Sequence, residues 1–272
     1  ILLCNSIIAQ IIISGSNLLN IGDIINQSED FNTSINIGLP GQGQSWNFSQ
    51  LISDDNWNIN VIDPNISPYF SNYPNADICI MDDGEFIYLN KNSNGIYLLG
   101  SGDSILQSSL LIVPLPLTFG ASFSDGPYAI LDSLIIDPSS INFALQLLGI
   151  SAACVTNGLA HRADSVRILS EVEQTFIVDA EGSLTIPMGV FDCVRVRQEI
   201  TSSTSGSIYF TDTLLGVNSG WYTYQNPAFT SSTETSYKWF TNDQNINFSL
   251  LEVTCDSLGN QDGSIIFLDN FS

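Results

Sequence analysis

The chain has 272 residues, 44% of them hydrophobic, and carries 28 acidic against 6 basic side chains for a formal net charge of −22. Enough apolar surface is present to offset the entropy of ordering the backbone, which excludes a disordered chain. Nucleic acid and anionic membranes are excluded as partners, because phosphate recognition needs clustered Lys and Arg; here Arg162, Arg167, Arg195 and Arg197 are dispersed and expected to pair with Glu171, Glu173 or Glu199.

The first ten residues read ILLCNSIIAQ. Residues 1–9 have the apolar run and small final residue, Ala9, of the end of a signal peptide. The alternative keeps residues 1–14 as a strand, since Ile7, Ile8, Ile11, Ile12 and Ile13 are strong strand formers, and such a strand can join a neighbouring subunit's sheet. No later run reaches the roughly 20 apolar residues of a spanning helix, so no membrane span is expected. Residues 10–272 read as a single large β domain with a seam near 150–160.

Gly41 to Gln44 is expected to turn before a strand containing Trp46; the third Gly and the Lys of phosphate-binding loops are missing. A hairpin runs from Asp77 to Asn90 with Asp82, Asp83 and Gly84 at its tip, and a second reversal follows at Asn92 to Gly95. One short helix is expected over Ser140 to Leu148, where Ile141, Ala144, Leu145 and Leu148 recur at helical spacing behind a DPSS cap. Between Glu173 and Thr201 a further hairpin is expected, reversing at Ala180, Glu181 and Gly182. The last hairpin pairs Asn247 to Cys255 with Ser264 to Phe267 around DSLGNQDG. Short strand-like runs broken by Gly, Asn, Asp and Pro predict an all-β fold, an antiparallel β-sandwich or a curved open half-barrel.

Several stretches, NIGDIINQSEDFNTSINIGLPGQGQSWNFSQL (Asn20 to Leu51), PLPLTFGASFSD (Pro114 to Asp125), GSLTIPMGVFDCVRVRQE (Gly182 to Glu199) and YKWFTND (Tyr237 to Asp243), together resemble secreted, cell-surface β-rich proteins of the Bacteroidetes type, often exported by the type IX system. The resemblance implies an extracellular or cell-surface module of largely unassigned activity. It also directs attention to Asp, Ser or Thr, then an apolar residue, the O-glycosylation sequon of that group. This pattern makes Ser104, Ser133, Ser165, Thr213 and Ser257 candidate modification sites; Asp-Ser is equally common at ordinary turns.

Chemistry is sparse. His161 is the sole histidine, so one residue would have to be the base of any Ser or Cys triad, and His-rich metal sites are excluded by number. Paired carboxylates from Asp82, Asp83, Glu85, Glu171, Glu173, Asp179 and Glu181 are the remaining catalytic option, but most of them fall at expected turns. Calcium is the one cofactor entertained, at Asp256, Asn260 and Asp262 or at Asp82, Asp83 and Glu85, without EF-hand spacing. Cys79, Cys154, Cys193 and Cys255 allow three pairings, or buried free thiols. Trp221, Tyr224 and Trp239 are a candidate sugar platform, with core packing as the competing explanation. The function expected is therefore non-catalytic, assembly or adhesion through self-association, other surface proteins or glycans, including a fibre joined by β-strand addition; a carbohydrate-binding module or glycosidase is the alternative.

Overall fold

A computed structural model describes residues 10–135, 143, 163–210, 220–224, 231–256 and 259–271. The expected helix over 140–148 and the seam near 150–160 lie outside these residues, apart from Phe143, as do Cys4, Cys154, His161 and Arg162. The fold is all-β, and its large sheet is mixed and not closed into a barrel.

Sixteen strands are described: β1 (Ile12–Ile13), β2 (Ile24–Asp30), β3 (Gly41–Asn47), β4 (Asp55–Ile62), β5 (Ile78–Asp82), β6 (Glu85–Asn92), β7 (Gly95–Ser101), β8 (Ser104–Pro114), β9 (Leu117–Thr118), β10 (Ser122–Ile135), β11 (Ala163–Ile186), β12 (Gly189–Phe210), β13 (Gly220–Tyr224), β14 (Ser231–Thr241), β15 (Ser249–Cys255) and β16 (Gln261–Phe271). The main sheet has the order β10-β11-β12-β14-β15-β16-β2-β4-β5-β6-β7-β8, with β3 joined to β11 and β13 to β12.

The chain divides into two compact units, residues 1–125, 174–200 and 234–272 in the first, and 126–173 and 201–233 in the second. The first unit holds the main core. Its central strands are largely buried: in β15, Leu251, Val253 and Cys255 are buried on one face, while the other carries buried Leu250 with Glu252 and Thr254 partly exposed. At the end of the sheet, β8 has one backbone partner, and its Leu111 is completed by side chains instead. Leu111 N–H donates to Asp125 Oδ2 at 2.9 Å, and Gln174 Nε2 donates to Leu111 O at 3.1 Å. Register between β7 and β8 also jumps from Gly100↔Ile105 to Leu98↔Leu110, which breaks the edge ladder.

Several hairpins form as the sequence predicts. Asp82 pairs with Glu85 around a tip in which Asp83 and Gly84 both adopt positive φ, 43° and 83°, as a tight two-residue reversal requires. Asn92 pairs with Gly95, and Val253 with Ile265.

The reversal expected at Ala180, Glu181 and Gly182 does not occur. Strand β11 runs through it to Ile186, and the chain reverses at Pro187 and Met188. The glycine serves a close approach: β3 lies parallel to β11, pairing Gln44 with Gly182, and a Cβ at Gly182 would stand 2.0 Å from Gln44 O. Gly41 to Gln44, expected as a turn, is the start of β3 itself, and this parallel pair makes the sheet mixed rather than purely antiparallel.

In the second unit, β12 and β13 pair antiparallel, with Ile208 buried and Tyr209 opposite Trp221. Hydroxyl pairs link its strands, Ser170 to Thr204 at 3.0 Å and Thr201 to Thr233 at 3.2 Å.

Candidate functional site

The 31–53 segment contains no charged residue in a chain that carries 28 acids. It directly follows Asp30, a carboxylate 1% exposed, whose Oδ1 accepts from the N–H groups of Asn32 and Thr33 at 2.9 and 2.8 Å and whose Oδ2 accepts from Ile52 N–H at 2.9 Å. Burial alone would raise the Asp30 pKa, but hydrogen bonds from Thr33, Ile52 and Asn32 outweigh it and bring the pKa down to about 2. Residues 33–38 then cross as a strap. Gln261 clamps its near end, accepting from Ile35 N–H at 3.0 Å and donating to Thr33 O at 3.0 Å.

The far end is held from beneath by Arg195, which is 1% exposed. Its Nε and Nη2 donate to the two oxygens of Asp179 at 2.8 and 2.9 Å, while Nη1 donates to Ile37 O and, at 3.3 Å, to Gly38 O. The guanidinium lies 5.6, 5.0 and 6.0 Å from the ring centroids of Trp46, Tyr237 and Trp239. Trp46 Nε1 adds a bond to Ile37 O at 2.9 Å, and Trp239 meets the edges of Trp46 and Phe48. A buried guanidinium is costly to desolvate, so this constellation contributes less to net stability than to fixing where the strap lies.

Two clefts flank the strap. One, of about 400 Å³, is lined by Ser34, Ile35, Asn36, Gly38, Gln44, Ser45, Trp46, Asn47, Phe48 and Gln50. The other, of about 340 Å³, shares Ser34, Ile35, Asn36 and Gly38 and adds Ile37, Tyr237, Gly259, Asn260 and Gln261. Neither lining contributes a carboxylate, Lys, Arg, His or Cys among the described residues. Burial, first, and Asp179 raise the pKa of Tyr237 against the opposing Arg197 and Arg195, so its phenol stays neutral at physiological pH. Asn36 and Asn47 use Oδ1 to accept from the Gly38 and Ser49 N–H groups at 2.9 and 3.2 Å, which fixes each carboxamide and turns Nδ2 away from that bond. The site is thus a set of neutral hydrogen-bonding groups with Trp46 and Phe48 at its floor. Among the described lining residues, Tyr237 is the one ionisable side chain.

The residues singled out in the sequence are placed elsewhere. Trp239 is fully buried against Trp46 and Phe48, which corrects its assignment to a sugar platform: it has no face to offer. Trp221 is 47% exposed and meets Tyr209 edge-on at 5.4 Å, while the Tyr224 side chain lies outside the described residues. In the proposed calcium loop, Asn260 donates to Asp256 from its backbone (2.9 Å) and from Nδ2 (3.1 Å to Oδ2), which closes the hairpin turn, and Asp262 is exposed. Of the two alternatives for the cysteines, Cys79, Cys193 and Cys255 take that of buried free thiols; burial pushes the Cys255 thiol up to about 11.

Of the acids, Asp179 is committed to Arg195, and Glu181 accepts from Gln42 Nε2 at 2.7 Å. Asp82, crowded by Asp83 and Glu85 on the hairpin tip, has its pKa raised by burial first and then by those neighbours. Arg197 pairs with Glu199 as expected, whereas Arg195 takes Asp179, outside the expected partners. Ser104 is exposed at the start of β8 and Ser165 is half-buried in β11; Thr213, Ser257 and the Ser133 side chain lie outside the described residues. Of the N-terminal strand, Ile12–Ile13 pairs with β9 of its own chain and Ile13 is fully buried, so this part bonds within the molecule.

No family model matches the chain. No curated protein matches it. One solved structure is similar, that of a candidate lipoprotein from Parabacteroides distasonis ATCC 8503, with 11% identity, 96% of this chain and 99% of that chain covered, and a TM-score of 0.35. No helix among the described residues is long and apolar enough to cross a membrane.

Proposed function

We propose that this chain is a non-catalytic binding module of an extracellular or cell-surface protein, serving adhesion by holding uncharged glycans in the two clefts beside the 33–38 strap. The observation that carries this reading is chemical. A chain of net charge −22 keeps both clefts free of ionisable groups other than a neutral tyrosine, and lines them with carboxamides, hydroxyls and an indole edge. Such groups donate and accept in pairs, which suits vicinal sugar hydroxyls, and they pay little of the desolvation penalty that a carboxylate would incur. The pinned strap supports it further, because a site held in place before the ligand arrives loses less entropy on binding. Adhesion through glycans takes precedence over β-strand addition, since the β8 edge is interrupted and Ile12–Ile13 is already paired.

A panel of neutral and acidic oligosaccharides, presented to the purified chain and to a Gln44→Ala, Asn47→Ala double variant, tests the reading. Uncharged oligosaccharides are expected to bind wild type and to bind the folded variant at least tenfold more weakly. Binding confined to acidic glycans, or equal in both proteins, would overturn it. Binding is expected to survive a calcium chelator, because the Asp256 loop is closed by its own hydrogen bonds.

A further inference from the structure

On the opposite side of β14 from the clefts lies a second cavity, of about 150 Å³. One wall comes from Ile80, Ile96, Ile112 and Val113 on β5, β7 and β8; the facing wall comes from Phe240 on β14 and from Phe248 just before β15. These stretches of sheet are not neighbours in the strand order, so the space is a gap between layers that face each other within the first unit. The space opens to solvent on the side of Lys238, Ser249 and Glu252, while its deeper part is lined by aliphatic and aromatic side chains, and an apolar recess of this size admits a small hydrocarbon chain.

The gap is kept open by its surroundings. Its end wall is the turn at Leu18 and Leu19, both buried. Lys91 Nζ donates to Leu18 O, Leu19 O and Asn20 Oδ1 at 2.6, 3.0 and 3.2 Å, and Leu19 N–H donates to Asn247 O at 2.7 Å. Leu19 is held at a φ of 47°, a conformation that a leucine rarely adopts unless its surroundings impose it. A turn fixed by four such bonds cannot slide inward to fill the space. At the mouth, Lys238 and Glu252 stand opposite each other across β14 and β15, paired at 2.9 Å and each partly exposed.

We infer that this cavity is a binding site for the short, linear alkyl end of an amphiphile with an uncharged hydroxyl head. The chain enters between Ile96 and Phe240, and the head meets the Lys238–Glu252 pair, which offers both a donor and an acceptor. A carboxylate head would have to displace Glu252 from Lys238 or lie beside it, so it is disfavoured. This site shares no lining residue with the two clefts, and it stands or falls apart from the glycan reading.

Heteronuclear NMR of the wild-type chain titrated with 1-hexanol, and separately with hexanoate, tests the assignment. Saturable shifts centred on Ile80, Ile96 and Phe240 are expected with 1-hexanol, with at least tenfold weaker binding of hexanoate. Val113→Phe and Ile80→Phe, which fill the cavity from different strands, are each expected to reduce 1-hexanol affinity at least tenfold; if either fails to fold, the wild-type shift map decides. Shifts that do not saturate, that centre elsewhere, or that are equal for the two probes would overturn the inference.

Discussion

Strand β14 separates two kinds of interior. Tyr237 and Trp239 point to the side where Arg195, Asp179, Trp46 and the strap form a polar and aromatic web in which the Trp239 indole N–H is buried without a hydrogen-bond partner, while Lys238 and Phe240 point to the side with the apolar gap. The period of two along a strand delivers both from four consecutive residues. The contrast lies in what fixes each side, directional hydrogen bonds on one and apolar contact on the other, and the larger spaces, about 400 and 340 Å³ against about 150 Å³, lie on the polar side. The Arg195 guanidinium and the Trp46 indole N–H are met in fixed directions, which sets where the strap lies, whereas methyl groups impose no direction on what faces them.

The largest effect should come from breaking the polar side. Arg195→Ala leaves Asp179 without its partner, removes the bond to the Gly38 carbonyl and leaves the Ile37 carbonyl with Trp46 Nε1 alone, and is expected to cost about 3–5 kcal/mol in urea unfolding. Arg195→Lys should recover only part of this, because an ammonium cannot bridge Asp179 with two parallel bonds while reaching the strap. A lysine variant as stable as wild type would show that the web needs a charge and not a fork.

Next in size, the pH dependence sharpens the role of the strap's anchor. The folded pKa of Asp30, about 2, lies below the ordinary 3.8, so its contribution is present in full above pH 3.8 and is lost as pH falls through that value toward 2. The magnitude is about 2 kcal/mol. Asp30→Asn should be less stable than wild type at neutral pH, with the difference shrinking in acid; a constant difference across that window would contradict the assignment. Gly182→Ala brings a Cβ against Gln44 O and should cost about 1–3 kcal/mol while weakening glycan binding through displacement of β3.

Smallest is Trp221→Ala in the second unit. At 47% exposure its loss should change stability by about 1 kcal/mol or less and leave glycan binding at the clefts unchanged.

Much of the fold was legible because it is local. The Asp83-Gly84 and Ser93-Asn94 reversals are written in turn residues, and the strand character of β14, β15 and β16 in their apolar runs. What escaped depends on distance along the chain. Ala180-Glu181-Gly182 has the composition of a turn, and only β3, bonded through Gln42 to Glu181 across 139 residues, explains why a glycine stands mid-strand. Trp239 stands near Trp221 in sequence and shares its residue type, but neither reveals that Trp46 and Phe48 cover the Trp239 ring. The clefts did leave a trace in the sequence: the uninterrupted absence of charge over 31–53 in so acidic a chain.

The central claim is that uncharged clefts recognise an uncharged ligand, and calorimetric titration of a neutral oligosaccharide at low and at high salt tests it most directly. Affinity that is the same at both salt concentrations is expected, since screening acts only between charges. Affinity that falls steeply with salt, or a ligand that must be charged to bind, would contradict the account.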